Sequence, residues 1–234
     1  MFFKKNKQQE IVFTNVLQFH QSSTPVPASQ GIPDWYKQMP NRRPNVKNPD
    51  SSPTIKKCVP VFDAMSAGYL LFTPCDLYVK QVDGEPQYIS SMPKVIESHS
   101  QQQANFHPTA NGVDFPKWIN AWGIKTPKGY STLFVPPIHN PNPWFVCFEG
   151  LVDTDKYVAP VNFPFVLKDP KFEGLIPAGT PMIQVIPFKR DDWKVKFGGE
   201  AEKEKAQDIL RELNVFFWDR YKTFYRTIKN WNQK

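Results

Sequence analysis

The sequence predicts a mainly β fold, with a basic, Pro-rich arm before the β domain and a long amphipathic helix after it. Three observations carry that expectation. Proline outnumbers glycine 24 to 11, and proline is excluded from helix interiors and central strands, so short elements joined by rigid loops replace a helical bundle. Short runs of β-branched and aromatic residues, punctuated by turn signals, fill the middle of the chain. From Glu200 to Lys234 both Pro and Gly vanish, and apolar residues return at steps of three and four. The expected boundaries are 1–53 for the arm, 54–197 for the β domain and 198–234 for the helix.

The arm is where the charge sits. The chain of 234 residues carries a net +7. Residues 1–57 hold nine Lys and Arg against three acids, so nearly all of the excess belongs to them. Such a segment is either a solvated arm or one that docks on an acidic partner or on nucleic acid. Within 25–53 the run IPDWYKQM reads as a turn and short helix opened by Pro33 and Asp34, with Trp35 and Tyr36 as anchors to a surface. Ahead of it, Ile11 to Phe19 is a short strand-like run with imperfect alternation.

Strand candidates follow in order. They are Thr54–Phe62, Gly68–Thr73, Leu77–Val82, Gln87–Ser90, Tyr130–Val135, Trp144–Phe148, Val161–Leu167 and Met182–Phe188. Asp83-Gly84 between the third and fourth is a hairpin turn signal. Residues 93–127, with the polar run SHSQQQANFHPTANG and then WINAWG, are not placed by the sequence. The 40% hydrophobic and 15% aromatic content is ample for one core.

In the C-terminal segment, Leu210, Leu213, Phe217, Tyr221, Phe224, Ile228 and Trp231 form one stripe, which predicts a helix of about seven to eight turns at 3.6 residues each. Acids dominate its first part and the charges after Asp219 are all basic, which suits the helix dipole. The stripe is expected to pack on the core or on a neighbouring subunit.

The three cysteines, Cys58, Cys75 and Cys147, form no C-x-x-C pair and read as buried thiols in a reducing compartment. No apolar run reaches the length of a membrane span, and MFFKKNKQQE is no signal peptide. The expectation is no membrane and a place in a cytoplasm.

Several motifs between residues 60 and 190 resemble those of the trimeric dUTPases, the dUTPase-like (β-clip) superfamily. Asp63-Ala64-Met65-Ser66-Ala67-Gly68-Tyr69-Leu70 is similar to the first motif. Gly150-Leu151-Val152-Asp153, followed by Asp155 and Tyr157, is similar to the third, with Lys156 as an extra residue. Gly179 to Ile186 is similar to the fourth, with Gln184 in place of the family glutamine. The resemblance implies a β-clip or jelly-roll-like domain that forms a homotrimer. It also implies roles: Asp153 as the base, and Tyr157, Gln184 and Tyr69 as nucleotide-binding residues, with Mg as cofactor. The second motif departs from the family. Gly129-Tyr130-Ser131 leads to Pro136-Pro137 with no Arg, so the phosphate donors are missing. Arg190, Lys189 and Lys128 are the residues left to replace them. GYSTLFVPP, GLVDTDKY, PVNFPF and IPAGTP together also resemble an uncharacterised family of tailed-phage proteins, which implies a host-cytoplasm or virion location.

Other chemistry is thin. His20, His99, His107 and His139 occur in no metal-binding spacing; a site from His99 and His107 with Glu97 or Asp114 is set against ordinary surface histidines. Asp153 and Asp155 suit either a cation or the local hydrogen bonds of a turn. The expectation is a non-enzymatic phage protein, without cofactor or metal, that works by assembly or binding. Its partners would be copies of itself, other virion proteins, or nucleic acid through the arm. The alternative is a nucleotide (dUTP or dCTP) hydrolase or deaminase-like enzyme using Asp153.

Overall fold

Among the described residues, fourteen short strands pair into four antiparallel sheets. A computed structural model describes residues 9–18, 24–44, 53–100, 103, 115–215 and 220–231. The largest sheet has five strands. At its centre lies β14 (Pro181–Lys189), flanked by β9 (Tyr130–Val135) and β3 (Tyr69–Phe72). Beyond them lie β11 (Gly150–Val152) and β2 (Val26–Pro27). A four-stranded sheet orders β10 (Phe145–Cys147), β12 (Phe163–Leu167), β7 (Phe115–Trp118) and β6 (Ile96–His99). A three-stranded sheet joins β13 (Gly174–Ile176), β4 (Leu77–Val82) and β5 (Glu85–Ser90). Strand β1 (Val12–Asn15) pairs with β8 (Trp122–Lys125).

One apolar core gathers side chains from the three larger sheets. Leu71, Phe134, Ile183 and Val185 of the five-stranded sheet meet Trp118, Phe145, Phe163 and Phe165 of the four-stranded one and Leu77, Val79 and Ile176 of the three-stranded one. The aromatic rings lock this contact, with Trp118 stacked on Phe165 at 5.4 Å and Phe134 against Phe163 at 5.5 Å. Such pairs add stabilisation beyond their buried area. In β14 the pairing slips by one residue between Pro181 and Ile183, which turns both Met182 and Ile183 into the core.

The other face of β14 is covered by helices. α1 (Asp34–Gln38) and α2 (Val59–Met65) bring Tyr36, Met65, Val61 and Phe62 into a second cluster with Ile32. Tyr36 is buried as expected of an anchor, and Trp35 donates its indole N–H to the His139 carbonyl at 3.0 Å. The arm also gives the sheet a strand, since Val26 and Pro27 pair with Leu70 and Tyr69 at its edge, where proline is tolerated.

Most strand expectations match the structure. Leu77–Val82 and Tyr130–Val135 agree end to end, and Asp83 and Gly84 take the positive φ values, 53° and 86°, that the hairpin turn requires. Three expectations fail. Thr54–Phe62 is not a strand but a 3-10 turn (Ile55–Lys57) followed by α2, because Pro60 sits at the helix start, where its missing N–H costs nothing. Cys58 is exposed, whereas Cys75 and Cys147 are buried. The C-terminal helix is shorter than expected: α3 spans Glu200–Val215, and Tyr221–Tyr225 is a single π turn that leads into extended backbone at Arg226. Aromatic and β-branched residues crowd that end of the stripe and are weak helix formers. Of the stripe, Leu210, Tyr221, Phe224 and Ile228 are exposed, and Phe217 lies outside the described residues, as does Phe19 of the first strand candidate.

Candidate functional site

The third motif forms a tight turn after β11. Its backbone closes through the amides of Lys156 and Tyr157, which both donate to the Asp153 carbonyl. Thr154 points inward and is fully buried. Its hydroxyl lies 2.8 Å from those of both Thr126 and Thr132, so three hydroxyls satisfy one another inside the fold.

The two acids flanking Thr154 point the other way, to Arg190 at the end of β14. Arg190 binds Asp155 through both terminal nitrogens, at 2.9 and 2.5 Å, and lies 3.0 Å from Asp153. It also donates to the Tyr130 carbonyl and the Ser131 hydroxyl, each at 2.9 Å. Asp155 accepts a further bond from the Gly129 amide, and Asp153 accepts one from Ser131 at 2.6 Å. The Asp155 side chain is only 4% exposed, that of Asp153 47%. The Arg190 bonds, then the Gly129 amide, pull the Asp155 carboxyl down to about 2. The Ser131 hydroxyl, then Arg190, hold the Asp153 carboxyl below its ordinary value.

This geometry favours a fastened turn over a basic catalyst. A general base works best with a pKa raised toward the operating pH, and Asp153 is shifted the opposite way. Magnesium needs free oxygen donors arranged octahedrally, and Arg190 occupies both carboxylates, so this set does not fit the ion. Among the described residues no three His, Cys, Asp or Glu side chains cluster for a metal. Glu97 pairs with Lys117, and His99 lies 2.9 Å from the Gln103 side-chain oxygen. His20, His107 and Asp114 lie outside the described residues.

The remaining site residues do not converge on Asp153. Gln184 is 1% exposed, and its side chain is fully engaged: its oxygen accepts from the Ile138 amide, and its nitrogen donates to the carbonyls of Ala64 and Ala67. It seats α2 and the segment around Ile138 on β14 and offers no face to a ligand. Tyr157 is exposed on the outside of the turn. Lys189 turns to Asp191 at 2.5 Å, and Lys128 is exposed.

Tyr69 lines a cavity of about 610 Å³, and Asp153, Tyr157 and Gln184 do not line that one. Glu10, Phe13, Thr126, Tyr130 and Trp231 also line it. Phe13 and Trp231 meet Tyr69 edge-on, at 5.2 and 6.3 Å, and burial pushes the Tyr69 hydroxyl up. The cavity is assembled from both ends of the chain. The C-terminal end is fixed at α2, where Asp63 accepts from Arg226 at 2.6 Å and from Lys229 at 3.0 Å. Burial works to raise the Asp63 carboxyl, but these two cations outweigh it and hold it low.

Sequence reading missed Ser131, Thr132 and Thr126, which complete the turn's hydrogen bonds. A signal was present: Ser131 and Thr132 interrupt the apolar strand YSTLFV, and adjacent polar residues in a buried strand need partners.

No family model matches this sequence, and no curated protein does. Among solved structures, the chain is similar to a mutant dUTPase of Staphylococcus bacteriophage 80alpha, solved with dUpNHpp. The likeness covers 82% of this chain and 89% of that one, at 12% identity and a TM-score of 0.33. Among the described residues no helix is long and apolar enough to cross a membrane.

Proposed function

We propose that this chain is a non-enzymatic phage protein that acts by assembly or binding, on a degenerate dUTPase-like β-clip fold, with a role in the virion and a homotrimeric state. One observation carries the reading. Arg190, the cation bound to the third motif's two acids, is spent on Asp155, Asp153 and Ser131 rather than left free for a phosphate. A triphosphate needs several charge-assisted donors at about 1.5–3 kcal/mol each, and Lys189 is paired with Asp191. Other virion proteins, or nucleic acid on the basic arm, are the further partners of this proposal.

The test is a thermal-shift series with dUTP, dCTP and dTTP plus magnesium. A ligand at a hundredfold excess over its Kd stabilises by about 2.7 kcal/mol, a readily seen rise in Tm. The proposal expects no rise with any of the three. A rise that Asp153→Asn or Tyr157→Ala abolishes would overturn it in favour of a nucleotide hydrolase or deaminase-like enzyme with Asp153 as base.

A further inference from the structure

Every residue from Asp191 to Asp208 is exposed, although three large apolar side chains lie in the stretch that leaves β14. Trp193 is 90% exposed, Val195 80% and Phe197 91%. They alternate with Lys194 and Lys196 in a segment without helix or sheet pairing, so docking in an extended form would put all three on one face. Exposed apolar residues scattered singly are ordinary, but a contiguous set marks an interaction surface.

The same chain presents a surface that suits this segment. In the three-stranded sheet Leu175 pairs with Tyr78, and Tyr78 with Ile89. Opposed residues share a face, so the three form one row across the sheet. They are 49%, 48% and 52% exposed. Neighbouring strands lie about 4.8 Å apart, so the row is roughly 10 Å long, against roughly 13 Å from Trp193 to Phe197 in an extended strand. Charge agrees as well. Residues 76–90 and 169–176 carry five acids against two lysines, and Lys194 and Lys196 between the apolar side chains are available to them, with Asp191 already paired to Lys189 and Asp192 at the segment's start.

We propose that Trp193, Val195 and Phe197 of one copy dock on the Leu175–Tyr78–Ile89 row of a second copy. This rests on the assembly reading above and names its contact. Two aromatic anchors bring roughly 300–500 Å² on the arm side alone. One such contact is small for a stable complex. In a closed assembly each copy gives an arm and receives one, so two contacts of roughly 600–1,000 Å² each hold every copy, while each interface by itself stays below the standard range of about 1,200–2,000 Å². Face docking also agrees with Pro86 in β5, which hinders addition of a strand at that edge.

The experiment is sedimentation velocity of the full chain across a concentration series. The arm variant is Trp193→Ser with Phe197→Ser; the row variant is Tyr78→Lys with Ile89→Lys. Both change exposed or half-exposed side chains, and circular dichroism checks that each stays folded. The wild type is expected to associate. Each variant alone should weaken association by at least roughly tenfold, as loss of anchor residues does. Mixing the two should restore a single arm-to-row contact and yield a one-to-one dimer, weaker than the wild-type assembly, that grows no further. Association unchanged in either variant would overturn this contact and leave the assembly reading standing. A wild type that stays monomeric throughout would overturn both.

Discussion

Both terminal nitrogens of Arg190 meet the Asp155 carboxylate, at 2.9 and 2.5 Å, across the end of the five-stranded sheet. Arg190 directly follows β14, and Asp155 sits in the turn after β11, which lies at the far side of β9. The pair therefore ties the ends of non-adjacent strands. Removing one partner leaves an almost fully enclosed carboxylate uncompensated, which costs more than the pair itself contributes. Arg190→Ala is expected to lower Tm by several degrees, Asp155→Asn by less, and Asp153→Asn least, because the Asp153 side chain is half exposed. Thermal melts of the three variants check the order; equal losses would contradict it.

The same turn gives a pH dependence. The Asp155 carboxyl titrates at about 2 in the folded chain against an ordinary 3.8. A carboxyl whose pKa is lowered by folding contributes stability that is fully present above the unfolded value and is lost as pH falls through the folded one. Stability should therefore decline from about pH 4 down to about pH 2. Asp63, Asp153 and Glu212, also held low, act in the same direction. In Asp155→Asn the decline should be shallower, so the Tm gap to the wild type narrows as pH falls. A constant gap through that window would show that Asp155 is not held by Arg190.

Gln184 occupies the position of the family glutamine and serves the fold instead. Gln184→Leu would leave the Ile138 amide and the carbonyls of Ala64 and Ala67 without their partner. At about 1 kcal/mol per bond, with a further penalty for orphaned groups, the expected loss is about 2–4 kcal/mol by chemical denaturation. Gln184→Glu should cost more, because a carboxylate would face two carbonyl oxygens in a buried site. A near-neutral result for either variant would return Gln184 to the list of ligand-binding residues.

What could be read from the sequence follows interaction range. Leu77–Val82 and Tyr130–Val135 declare themselves through local composition, and Asp83-Gly84 through turn chemistry. β7 escaped because Pro116 and Lys117 break its pattern, yet pairing with both β12 and β6 carries it. Thr54–Phe62 misled through its β-branched residues, while Pro60 opened a helix. The third motif was visible as a turn, but its state was not. Arg190 lies 35 residues from Asp155, and Gln184 lies 120 from Ala64. Tertiary approach alone decides whether such acids and amides face a ligand or one another.

Gly68 shows where local and long-range demands meet. Its φ is +68°, and an added Cβ would lie 1.9 Å from the Val185 carbonyl oxygen of β14. Gly68→Ala must therefore strain its own backbone, at about 1–2 kcal/mol, and push β3 away from β14. The Gly68 carbonyl also accepts from the Ala28 amide at 2.9 Å, so this contact of the arm moves with it. Gly84 has a similar φ, +86°, but open space where its Cβ would go. Gly84→Ala should cost only the backbone term. Denaturant melts of both variants separate strain from collision: a Gly68→Ala loss no larger than that of Gly84→Ala would mean that β3 and β14 can part without cost.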